Sequence, residues 1–184
     1  MTFNYQEAMI TFAAEEVPDL YAIHQRTLAV TNGNQRITYA PVGLNREKRM
    51  AVALRAMPDV EVPAGLAFEN MTIEKNAILT IHAGVRLVKR SDFGERMPTP
   101  EEALEKWNAA LTAGGFHAEN TRMVESAITF HHKRLNQNIR LPFWAVSSTL
   151  TVVDAEQAAA TMVRGVGRSR GLGFGMLRVV GKAI

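Results

Sequence analysis

Two helix-start signals govern what the second half of this chain can become. Thr99-Pro100-Glu101-Glu102 offers a hydroxyl to cap a helix, a proline at the first helical position and a carboxylate placed to reach back. Asp154, followed three residues later by Gln157, repeats the signal. The first helix is expected to bury Leu104, Trp107 and Leu111 and to stop at Gly114-Gly115; the second is alanine-rich and ends at Gly165. Strand patterns flank both. Ala77–Lys89 alternates and is β-branched at Ile78, Thr80, Val85 and Val88. Alternation returns from Met123 to Phe130, breaks at the polar turn Leu135–Asn138, and resumes through Ile139, Leu141 and Phe143 towards Leu150 and Val152. Phe174–Val180 reads as a closing strand. The order is β-α-β-β-α-β, the ferredoxin-like unit.

The first half gives a rougher copy. Strand-like residues at Ala8–Phe12 precede a helix that begins near Pro18 and ends before Asn32-Gly33. Ile37–Leu44, Met50–Ala56 and Leu66–Ile73 follow as strands, without a convincing second helix. No literal repeat links the halves, so duplication is inferred from element order alone. The expected fold is α+β, with tandem ferredoxin-like (RRM-like) domains over residues 1–75 and 76–184.

Composition narrows the partners. The 184 residues contain no cysteine, which removes disulfides and the commonest structural zinc sites. No apolar run approaches the roughly 18 residues of a membrane span, and no signal-peptide pattern opens the chain. A cytoplasmic protein without membrane attachment is expected. Charge is unevenly spread: residues 1–121 hold 12 Lys/Arg against 15 Asp/Glu, whereas residues 122–184 hold nine against three. A basic C-terminal third points to a polyanion as partner.

Two segments carry chemistry. In the helix from Asp19 to Arg26, Leu20, Ile23, Thr27 and Val30 share a face for packing on a sheet. Tyr21 and His24 lie together on the adjoining face. A lone helical histidine is more often an ordinary surface residue than a catalyst. The second segment, from Gly165 to Gly175, sets Gly165, Gly167, Gly171, Gly173 and Gly175 among Arg168 and Arg170. Glycines let backbone N–H groups approach an anion, and arginines add forked donors, so phosphate contact is expected there. The spacing is neither a dinucleotide fingerprint nor a triphosphate loop.

Taken together, Asp19-Leu20-Tyr21-Ala22-Ile23-His24-Gln25 and the stretch from Leu150 through Gly165-Val166-Gly167, Arg170 and Gly173-Phe174-Gly175-Met176-Leu177 resemble the CRISPR repeat endoribonucleases of the CasE type. The resemblance spans nearly the whole chain. It implies paired ferredoxin-like domains in a monomer that binds a CRISPR repeat hairpin RNA and cuts at the 3′ base of the stem. Such a protein then stays on the crRNA within a Cascade-like interference complex. By position, His24 matches the family's catalytic histidine, Tyr21 its supporting tyrosine, and Arg170 the basic residue of the glycine-rich loop.

The residue types suit that chemistry. Attack of a ribose 2′-OH on the adjacent phosphate needs a base, an acid and charge stabilisation, with no metal or other cofactor. Histidine exchanges protons near neutrality, whereas Tyr21 is better suited to orient. Arg26 or Arg170 is expected to hold phosphorane oxygens. His131-His132-Lys133-Arg134 and Arg140, on the central hairpin, are candidates for following RNA phosphates, and Arg86, Lys89 and Arg90 form a weaker basic cluster. The alternatives are a non-catalytic RNA-binding subunit of a CRISPR ribonucleoprotein and a small-molecule enzyme on the same fold.

Overall fold

The structure is a computed structural model and describes residues 1–92, 94–132 and 135–183. Two four-stranded antiparallel sheets are each built in the ferredoxin-like order. The first contains β1 (Thr2–Ala13), β2 (Thr38–Leu44), β3 (Arg49–Ala56) and β4 (Glu69–Glu74), arranged β2-β3-β1-β4. Helix α1 (Leu20–Val30) starts where Asp19 accepts a hydrogen bond from the Ala22 N–H at 2.8 Å. It lays Leu20, Ile23 and Thr27 inward, as its spacing requires. Among the described residues no α-helix lies between β3 and β4.

The second sheet contains β5 (Ile78–Val85), β8 (Phe116–His132), β9 (Gln137–Val152) and β10 (Arg178–Ala183), arranged β10-β5-β9-β8. Between β5 and β8 come a small ribbon, β6 (Lys89–Ser91) with β7 (Gly94–Arg96), and helix α2 (Pro100–Ala113). The Thr99–Glu102 capping box is made in both directions. Helix α3 (Ala155–Arg164) is capped by Asp154, which accepts from the N–H groups of Glu156 and Gln157. Both helices cover one face, where Trp107, Leu111, Ala158 and Met162 meet Ile81, Val85, Leu150 and Val152.

Three local expectations differ from the outcome. Leu104 is 39% exposed, and Ala103 takes the buried position in its turn. The closing strand begins at Arg178 rather than Phe174: Met176 and Leu177 are buried, but Met176 packs on Ala40 and Ala53 of the first sheet. The β6–β7 ribbon was not signalled by any alternation.

The domains dock through unsatisfied helix carbonyls. β3 is buried on both faces from Ala51 to Ala56. Val52, Leu54 and Ala56 join the core beneath α1, while Ala53 and Arg55 face the second domain. The last turn of α3 leaves carbonyls without intrahelical donors. Arg55 Nη1 donates to Met162 O at 3.0 Å and to Leu177 O at 2.7 Å, and Thr38 Oγ1 donates to Val163 O at 2.5 Å. Arg55 also pairs with Glu7 at 2.5 Å and is only 3% exposed. A cation at the C-terminal end of α3 is favourably placed against the helix dipole.

Candidate active site

At the seam between the domains, β8 and β9 run on together after β5 has ended. β9 pairs with β5 only from Trp144 to Thr151, so its stretch from Gln137 to Phe143 pairs with β8 alone. At about 3.3 Å per residue, the 17-residue β8 gives the whole ribbon a length of roughly 55 Å, of which the stretch beyond β5 makes up roughly 23 Å. Its distal half packs Phe130, Ile139 and Leu141 against Leu20 and Tyr21 of α1 and against Leu172 and Phe174 of the glycine-rich loop. His24 is therefore placed where three elements from two domains converge. A cleft of about 490 Å³ also lies along this seam, lined by Leu20, Pro41, His82, Arg122, Phe143 and Arg178 among others; His24 is not part of its lining.

The partner of His24 is Tyr39, not Tyr21. His24 Nδ1 lies 3.0 Å from Tyr39 Oη, and the Tyr39 hydroxyl donates to Gly171 O at 2.9 Å. A phenol has one proton, and the carbonyl can only accept. The two bonds together require Nδ1–H on His24, donating to Tyr39 Oη, which leaves the lone pair of the neutral ring on Nε2. Burial lowers the pKa of His24 from its ordinary value, while the Gly171 carbonyl acts against that shift. Burial raises the pKa of Tyr39 well above the usual phenol range, so it remains a proton-bearing link. Tyr21 stands one ring further along: its centroid is 6.4 Å from that of His24 and 5.1 Å from that of His132.

The glycine-rich loop is tightly self-bonded. Val166 N–H donates to Gly175 O, Gly175 N–H to Gly84 O, and Arg168 N–H to Arg86 O, each at 2.8 Å. Gly165 and Gly173 N–H groups bond to Thr161 O and Arg170 O. The expected cradle of free N–H groups is thus largely occupied internally. Its glycines serve close approach instead: Gly173 has φ +85°, and a Cβ there would lie 2.6 Å from Pro41 Cδ and 3.1 Å from Tyr39 Cε2. This contact holds the loop against β2 and aims Gly171 O at Tyr39. Gly171 itself is exposed, with open space around it.

The basic residues divide into those held locally and those facing outward. Arg26 lies about 200° round the helix from His24 and pairs with Glu16 at 3.2 Å. Arg168 pairs with Glu95 at 3.1 Å, and Arg170 donates to Arg164 O at 3.2 Å; both arginines are otherwise exposed. Arg140 is exposed on β9, opposite Thr129. Lys133 and Arg134 lie outside the described residues. Lys89 and Arg96 both bond Glu102, whose carboxyl is held at about pKa 2 by Arg96, Lys89 and the Thr99 N–H. Arg86 donates to Ser169 Oγ and Pro142 O. Of the weaker basic cluster, Arg86 and Lys89 are thus tied into the protein, whereas Arg90 stays 78% exposed and only reaches Glu95 at 4.0 Å. Among the described residues, no group of three or more His, Asp or Glu side chains is arranged to hold a metal ion, and no helix is long and apolar enough to cross a membrane.

Sequence reasoning missed Tyr39, the Gly171 carbonyl and the position of His132 beside Tyr21. The only local signal for Tyr39 was a polar-tipped aromatic on the inward phase of a strand.

A profile of CRISPR-associated proteins matches residues 3–180. The chain belongs to the CRISPR-associated protein family. No curated protein matches it. Among solved structures, Cse3 of Thermus thermophilus, bound to an RNA representing a pre-cleavage complex, is 18% identical, with 99% of this chain and 100% of that one covered at TM-score 0.70. Cas6e of Escherichia coli K-12 is 14% identical, with 97% and 98% covered, at TM-score 0.67. A chain of a CRISPR RNA-guided surveillance complex is 13% identical, with 95% and 100% covered, at TM-score 0.62. At these identities the likeness is one of fold, and it extends this CRISPR-associated chain's tandem ferredoxin-like plan over both domains.

Proposed function

We propose that this CRISPR-associated protein is a metal-independent endoribonuclease that cuts CRISPR repeat hairpin RNA and remains with the crRNA among the subunits of an interference complex. The observation that carries this is the state of His24: half-buried, neutral by preference, with Nδ1–H engaged by Tyr39 and the ring's lone pair therefore on Nε2. Nε2 takes the proton of the ribose 2′-OH, whose oxygen attacks the adjacent phosphorus. The bond from phosphorus to the 5′-oxygen breaks, and that oxygen takes a proton from water as it leaves. The products are a 2′,3′-cyclic phosphate and a 5′-hydroxyl. Tyr21 orients the RNA beside the base. Arg170, Arg168, the N–H of Gly171, and Arg140, Lys133 and Arg134 contact phosphates along the stem. RNA-bound Cse3 and the surveillance-complex chain share this fold, which supports the assignment of substrate and partners.

His24→Ala is expected to lower single-turnover cleavage by the roughly 10²–10⁴-fold typical of general acid–base catalysis, with hairpin affinity nearly unchanged. A repeat carrying a single 2′-deoxy sugar at the scissile position should bind and stay uncut, and excess chelator should leave cleavage of the normal repeat intact. Efficient cutting of the deoxy repeat, or a 5′-phosphate on the product, means a water nucleophile and defeats the proposal. A protein that binds the hairpin and never cuts it is instead a non-catalytic RNA-binding subunit.

A further inference from the structure

We infer that Tyr39 is a positioning residue for His24, and that the second domain, through the Gly171 carbonyl, sets which ring nitrogen of that histidine carries the proton. The inference rests on the proposed nuclease only for its kinetic consequence; the tautomer itself is a property of the free protein. Three atoms form the relay: His24 Nδ1, Tyr39 Oη at 3.0 Å, and Gly171 O at 2.9 Å from that hydroxyl. They come from α1, from the edge strand β2 and from a loop 132 residues further along the chain than Tyr39. Each link is polarised by the next. The carbonyl fixes the phenol proton, the phenol oxygen then accepts, and only an Nδ1–H can donate to it.

Without that carbonyl, Tyr39 is free to turn its proton towards Nδ1, and the ring's remaining proton then sits on Nε2, the nitrogen that must be vacant for the base. The tautomer is consequently conditional on docking. Tyr39 is buried and its ring is fixed by the core under α1, so β2 alone orients the phenol oxygen. Its proton is directed by the other domain. Gly173 makes that possible, because any Cβ there meets Pro41 and the Tyr39 ring. The imidazolium formed after proton abstraction keeps the same Nδ1–H bond, now charge-assisted, so the relay supports both states that a base passes through.

Long-range ¹H–¹⁵N correlation spectra of ¹⁵N-histidine-labelled protein report the tautomer directly. In the wild type, His24 should be the Nδ1–H form at pH above its titration. Tyr39→Phe should shift it towards Nε2–H, lower cleavage about 10- to 100-fold, the scale seen when a metal-bound histidine loses its orienting partner, and leave hairpin affinity unchanged. Its acid limb should also move to lower pH, since the imidazolium loses the phenol oxygen and keeps only the Gly171 carbonyl as acceptor. Gly173→Ala should produce the same tautomer change with the phenol still present. An Nε2–H tautomer in the wild type overturns the inference without any variant having to fold. A Tyr39→Phe protein that keeps Nδ1–H overturns it as well. If Gly173→Ala leaves the tautomer as it was, the second domain's part is wrong. Should the tautomer switch as described in a protein that cleaves no repeat, the relay stands and the nuclease proposal falls.

Discussion

His24 is acted on in opposite senses by its surroundings. Burial disfavours the imidazolium, the Gly171 carbonyl favours it, and burial wins, so the group titrates below its ordinary value of 6.5. If neutral His24 is the base, cleavage rises as pH climbs through that lowered pKa and is level through neutrality. If the protonated ring were the essential acid, cleavage would fall over the same interval. Single-turnover rates across that range, set beside an NMR titration of His24, should give coincident midpoints below 6.5. Stability follows the same sign. Between the lowered pKa and 6.5 the unfolded chain holds the extra proton, so this group's contribution is complete above 6.5 and is lost as pH falls through the folded value. His24 was visible in the sequence because the Asp19–Gln25 segment resembles a family's catalytic helix. Tyr39 was not, because nothing near it in sequence marks a hydroxyl whose two partners lie 15 and 132 residues away.

Among the elements, the glycine-rich loop shows how one sequence signal can be right about place and different in cause. Five glycines drew attention as an anion cradle, yet most of their N–H groups bond within the protein. At Gly175, φ is +88° and a Cβ would come within 2.1 Å of Val166 O. Gly175→Ala should therefore lower the thermal midpoint clearly, because backbone on both sides must move. Gly171→Ala faces open space at ordinary φ and should change stability by no more than about 0.5 kcal/mol. Equal losses from both would mean that the close approach is not what these glycines supply. The helices were legible because capping is local chemistry: Thr99, Pro100 and Asp154 do in the structure what they do in any chain. The start of the closing strand was not. Phe174, Met176 and Leu177 are buried as strand residues would be, but by the partner sheet and the loop's own packing. Apolar periodicity does not say which surface does the burying.

For the molecule as a whole, the question is what makes two ferredoxin-like halves act as one site. Arg55 carries much of that coupling. It sits within a strand otherwise apolar from Ala51 to Ala56, reaches two carbonyls of the second domain and pairs with Glu7 of the first. Arg55→Met would fill similar space while leaving the Glu7 carboxylate and the carbonyls of Met162 and Leu177 without their donor. Removing one member of a buried pair commonly costs about 3–5 kcal/mol, most of it from the charge left behind. Arg55→Met should show that scale of loss in urea unfolding, and adding Glu7→Gln should recover part of it, leaving the cost of the two carbonyls. The functional consequence is sharper than the loss of stability. Loosened docking moves Gly171 from Tyr39, so cleavage by the still-folded fraction should fall, while hairpin affinity, if it comes from the proposed phosphate contacts of residues such as Arg140, should change little. The decisive comparison is Arg55→Met with Tyr39→Phe. Both should release His24 from its Nδ1–H tautomer, and the double variant should cleave no worse than the more damaged single one, because each breaks the same relay. Additive losses in the double variant would show that domain docking reaches the histidine by a route other than Tyr39.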